Sequence, residues 1–216
     1  MPISHRRTVN PPDQQGRPSG QSLVEFALVF PLFVLLTLFL VEFAFVFSAL
    51  LGVNFASRNA ALVAAEAGDD VLADCVILQE VERSIGAPGN KVNVQSVAIY
   101  RTDQTGAPQT GPLTYTRTGS TTCTKGTTTL SVPYSSCNGA VIDADATTSC
   151  PVGTYTYANR CNVLNGCGSL GRSQIDTIGI EITYQHSWVT PIHNFGLGGS
   201  GATLTQSNAM RMEPIL

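Results

Sequence analysis

Six cysteines, two acids inside an apolar run and a few histidine and aspartate side chains are the residues of this chain that could do chemistry. Cys75, Cys123, Cys137, Cys150, Cys161 and Cys167 all follow the apolar run. An even count in an exported domain points to disulfides, and six thiols permit fifteen full pairings, among which the sequence does not choose. Zinc is the competing chemistry. It is disfavoured because there is no C-x-x-C pair and His186 and His193 stand at no metal-helix spacing, so no metal is expected. His186, Asp176 and any of several serines make a hydrolytic triad on paper only, with no nucleophile elbow around them. Gly196-Leu197-Gly198-Gly199-Ser200-Gly201 has the G-x-G-x-x-G spelling of a phosphate loop, but Thr203, Leu204 and Thr205 follow where that motif needs a helix. It reads as a flexible turn, and neither a cofactor nor an enzymatic activity is expected.

The acids are more informative. Glu25 lies in the first turns of an apolar run that Glu42 alone interrupts again, and from Leu23 to Val53 there are 31 residues without Lys or Arg. As a helix that run is roughly 46 Å long against a hydrocarbon core of about 30 Å, enough to span a bilayer and project beyond it. A carboxylate inside the span costs on the order of 2.5–3.5 kcal/mol unless it is paired or near the interface, so Glu25 calls for a partner. Glu42 reads as a snorkelling or interfacial acid near the far side. Arg6, Arg7 and Arg17 precede the run with only Asp13 opposing them, which keeps the N-terminus cytoplasmic by the positive-inside rule. A cleaved secretory signal is the competing reading, and length argues against it: its apolar region covers about 7–15 residues, whereas this one runs on through Phe43, Phe47 and Leu51.

Small residues recur every fourth position at Ala44, Ser48, Gly52, Ala56, Ala60, Ala64 and Gly68, a row that lets another element approach the helix closely. Four residues rotate by about 400°, so the row winds around the helix and no one straight partner uses all of it. An Ala-rich helix with good intrinsic propensity is the plainer account of the same residues. Three regions follow: a Pro-rich leader over 1–20, a transmembrane and extended helix over 21–68, and an exported α+β domain over 69–216. In that domain, apolar recurrence predicts a second helix over about Val71 to Ile85, ended by Gly86 and Pro88. Val92 and Val94 have one parity and Val97 and Ile99 the other, so the strand there buries both faces or carries a bulge near Gln95-Ser96. Ile178, Ile180, Ile182 and Tyr184 alternate with Gly179, Glu181 and Thr183 as a clear strand, and Ala202 to Gln206 reads as a last extended segment. From Thr102 to Leu130, twelve of 29 residues are Thr, so surface loops or edge strands with little core are expected there. Net charge is −3 with only two lysines, Lys91 and Lys125, and no nucleic-acid partner is indicated.

Gly20-Gln21-Ser22-Leu23-Val24-Glu25-Phe26-Ala27, the helix with Pro31 and Glu42-Phe43, and the Asn54 to Gly68 stretch resemble the TadE-like pseudopilins of tight-adherence (Tad/Flp) pilus systems. Ile180-Glu181-Ile182-Thr183-Tyr184, Pro191 and Ala209-Met210-Arg211-Met212-Glu213-Pro214 extend the resemblance, while the cysteine-rich middle departs from it. The resemblance implies cleavage after Gly20 by a prepilin peptidase, with Gln21 as the new N-terminus and Glu25, followed by Phe26, as the acid that serves assembly. It also implies a bacterial inner-membrane protein with a periplasmic domain, a minor pilin or assembly component whose partners are that peptidase, other pilins and pseudopilins, inner-membrane assembly proteins and membrane lipid. The fold expected is α+β: a long N-terminal transmembrane helix, a short second helix and a small antiparallel sheet with disulfide-rich loops. The alternative is an uncleaved single-pass protein carrying an exported binding module.

Overall fold

The computed structural model describes residues 20–85, 93–103, 105–109, 111–118, 121–136, 155–189 and 201–214. Residues 1–19 of the leader, Cys137, Cys150, Pro191 and the glycines from Gly196 to Gly199 lie outside the described residues. Helix α1 covers Gln21–Ala67 and runs through Pro31, and the described residues divide into two compact units, one up to Val41 and one from Glu42 onward. From Leu23 to Val41 almost every large apolar side chain is exposed, and this helix is long and apolar enough to cross a membrane. A helix suits that setting because it satisfies its backbone groups internally, and a proline is tolerated there.

The second unit takes in Glu42 to Ala67 as well as everything after them. Gly68 ends α1 in the left-handed region at φ +60°, where a side chain would also collide with the Asn162 amide. Helix α2, Ala73–Ser84, begins two residues later than the periodicity predicts. Its entry is a tight turn in which the Asp70 carboxylate accepts from Leu72 N at 2.8 Å and the Asp70 carbonyl from Ala73 N at 2.9 Å.

Strands β1 (Val94–Thr102), β2 (Leu113–Thr116), β5 (Ser135–Ser136), β6 (Thr177–Ser187) and β7 (Gly201–Arg211) form an antiparallel sheet in the order β5-β2-β1-β6-β7, and β3 (Thr121–Lys125) pairs with β4 (Thr128–Val132) as a separate hairpin. The parity switch in β1 is a bulge: Val94 opposes Tyr184 and Ser96 opposes Thr183, so two steps on β1 match one on β6 and Val94, Val97 and Ile99 all turn inward. Gly179 lets Tyr100, its cross-strand partner, lie over β6, where a side chain would meet the ring at 2.5 Å. Ile178, Ile180, Ile182 and Tyr184 join Ile77, Leu78 and Val81 of α2 and the alanines of α1 in one core.

One expectation changes. The Thr-rich stretch supplies core as well as surface, since β2 lies inside the sheet and buries Leu113 and Tyr115 completely while its threonines face solvent. The β3–β4 hairpin is fastened to α2 through the Cys75–Cys123 disulfide and Gln79 Nε2 donating to the Ser131 carbonyl at 3.4 Å. A second disulfide, Cys161–Cys167, closes a short loop.

Three phenols are buried against carboxylates: Tyr115 donates to Asp74 at 2.5 Å, Tyr134 to Glu82 at 2.6 Å and Tyr155 to Asp176 at 3.0 Å. Burial first, and then the charge of the neighbouring carboxylate and the hydrogen bond to it, pushes all three above the ordinary tyrosine value. A group raised in the folded state contributes stability that is intact below its unfolded value, about pH 10, and is lost as pH rises towards the folded one. Tyrosinate absorbance from these three of the six tyrosines should therefore appear together with loss of secondary structure above about pH 10. All six phenols titrating near pH 10 with the fold intact would contradict the arrangement.

Candidate functional site

Gly20 lies exposed in the turn before α1, and its carbonyl accepts a hydrogen bond from Val24 N at 3.2 Å. Gln21 opens the helix and its side-chain amide donates to Glu25 Oε1 at 3.1 Å, one turn on, with both side chains exposed. An α-amino group created at Gln21 would share the helix face of that carboxylate. Phe26 follows, its ring centroid 5.2 Å from that of Phe30.

The small-residue row divides along its length. Ala56, Ala60, Ala64 and Gly68 are buried within the chain's own second unit, Ser48 and Gly52 are half-buried, and Ala44 is exposed. Ala49, Val53, Ser57, Ala61 and Ala65 complete the buried face, so the sheet and α2 occupy it from Ala49 onwards. Their small side chains permit a close helix–sheet approach. At its border Asn208 Nδ2 donates to Ser57 Oγ at 2.6 Å and Asn54 Nδ2 to Gln206 Oε1 at 3.3 Å, tying α1 to β7.

Away from that face, large apolar side chains are left in the open. Phe43, Phe47, Leu51 and Phe55 stand one helical turn apart, between 45% and 68% exposed, and Leu62 continues the exposure further along the helix. The rings of Phe43 and Phe47 stack at 6.3 Å. In sequence these residues read only as a continuation of the membrane run. The missed signal is their four-residue spacing opposite a buried row of alanines.

Glu42 is not a snorkelling acid: it is 4% exposed, accepts from Val189 N at 2.9 Å and lies 3.5 Å from His186 Nε2. His186 and Asp176 stand near opposite ends of β6, about 33 Å apart by strand rise, so no triad forms from them. Asp176 instead receives Tyr155, Arg172 and Cys161 N, which fixes the loop closed by Cys161–Cys167. Gly201 opens a strand, as a phosphate loop would not.

An apolar N-terminal helix long enough to cross a membrane thus continues, in its second half, as a packing element of an α+β unit. Residues 20–62 match the family model described as TadE-like protein. The match ends within α1, and the remainder of the chain lies outside it. No curated protein and no solved structure matches the chain.

Proposed function

We propose that this protein is a minor pilin or assembly component of a tight-adherence pilus, made with a cytoplasmic leader, cleaved between Gly20 and Gln21 by a prepilin peptidase and held in the bacterial inner membrane by α1. The domain beyond the membrane is periplasmic and contributes to pilus assembly and, through it, to surface attachment. The observation that carries this reading is the exposed row Phe43, Phe47, Leu51 and Phe55. Twenty residues from Ser22 to Val41 already use about 30 Å of helix, so Leu51 and Phe55 stand beyond the hydrocarbon while 45% and 58% exposed. A row of that kind favours a helical partner over solvent.

Glu25 sets the register of that partnership in the same reading. Its carboxylate is costly in hydrocarbon alone, and the α-amino group at Gln21 of a neighbouring subunit is a cation placed to neutralise it. Glu25→Gln keeps size and hydrogen bonding and removes the charge. The variant should insert normally and fail to cross-link with other pilus components, with wild-type helix and domain content. Wild-type assembly and surface attachment in Glu25→Gln cells would show that the acid is not the determinant.

A further inference from the structure

We infer that the end of the sheet formed by His186 to Val189 is a lipid-contacting foot, which seats the second unit on the outer leaflet through Trp188 and Val189. The inference rests on the proposed membrane anchoring of α1. Starting at Ser22, a hydrocarbon core of about 30 Å is used up at Val41, so Glu42 emerges at the far interface. The C-terminal end of β6 is held to that residue: Val189 N donates to the Glu42 carboxylate at 2.9 Å and His186 Nε2 lies 3.5 Å from the same oxygen. The segment 186–189 is therefore fixed at the height of the lipid headgroups.

Its composition suits that height. Trp188 is half-buried, with the His186 ring edge-on to its indole at 5.8 Å, and Val189 beside it is 64% exposed. Phe43 and Phe45 project from α1 at the same level, the former 68% exposed. Tryptophan favours this boundary because its ring is apolar and its N–H seeks a polar partner. Glu42 would disfavour the position if it faced lipid. Its burial behind Val189 and His186 leaves an apolar and aromatic surface outermost.

Trp188 is the only tryptophan of the chain, so its fluorescence reports this site alone. The full-length protein would be reconstituted in vesicles of phosphatidylethanolamine and phosphatidylglycerol. Trp188 emission should shift to the blue and become severalfold less accessible to acrylamide than in the unfolded chain. Spin labels near the headgroup should quench it more than labels at the acyl-chain end. Val189→Asp removes no core contact and should restore acrylamide access without lowering the melting temperature. Protection from acrylamide without quenching by any lipid label would assign the cover over Trp188 to protein, its own chain or a second copy, and overturn the proposal. Free acrylamide access with the protein retained after alkaline carbonate would overturn docking alone. Release of the protein by carbonate would overturn the anchoring as well.

Discussion

Replacing Arg160 by Met lowers the stability of the second unit by about 3–5 kcal/mol, the expected cost of leaving a buried carboxylate without its cation. Arg160 is 2% exposed, and its guanidinium meets the Asp74 carboxylate at the start of α2 and reaches the Gly68 carbonyl, at the end of α1, at 3.4 Å. Tyr115 of β2 donates to the other Asp74 oxygen at 2.5 Å, and Tyr155 places its ring 5.6 Å from the guanidinium carbon. One side chain thus joins the two helices, the sheet and the 155–176 loop. Methionine keeps the length and apolar stem and removes only the charge. Adding Asp74→Leu should recover most of the loss, because a buried ion pair replaced by apolar groups of similar volume is often neutral. Denaturant unfolding of the full-length protein checks both variants. A loss below about 1 kcal/mol for the single variant would show that the pair is not a keystone of the fold.

Phe55→Asp should abolish association with pilus components while leaving the fold intact. The side chain is 58% exposed and makes no part of the core, so the unfolding midpoint should move by no more than a surface change, within about 0.5 kcal/mol. It stands about 21 Å past Val41 along the helix, clear of the hydrocarbon, so insertion is not at issue. Losing a buried phenylalanine at an interface costs about 1.5–3 kcal/mol, at least about tenfold in affinity, and a carboxylate stranded against apolar neighbours costs more. Thr205→Asp on the outward side of β7 is the matched control. Equal recovery of pilus components with Phe55→Asp and with the control would remove the exposed row as the assembly face.

Much of the fold was legible because backbone period and burial agree. The alternation in β6 needs no long-range information, and the parity switch at Gln95-Ser96 could arise only from a bulge or from two buried faces. β7 was legible only in part: the sequence suggests Ala202 to Gln206, whereas the strand runs Gly201–Arg211. Its inward residues include Gln206 and Asn208, which bond to α1, so polar side chains occupy positions where an alternation rule looks for apolar ones. Asp74 and Arg160 were illegible for a related reason. An acid in the first turn of a helix looks like a surface residue complementing the dipole until the structure buries it under an arginine eighty-six positions away. Cysteine pairing depends on which elements meet, and the Cys75–Cys123 link became visible only with the hairpin seated on α2. The small-residue row reads in sequence either as a surface for close approach by another helix or as a plain Ala-rich helix, and from Ala56 onward it is the chain's own sheet and α2 that pack on it. The face left exposed is the aromatic one.

The intact mass of the protein purified from its native membrane tests most directly whether this chain is a processed pseudopilin. The expected chain begins at Gln21, with residues 1–20 removed and α1 retained whole. A chain beginning at Met1, or one cut after residue 44 so that the apolar helix is lost, would contradict it.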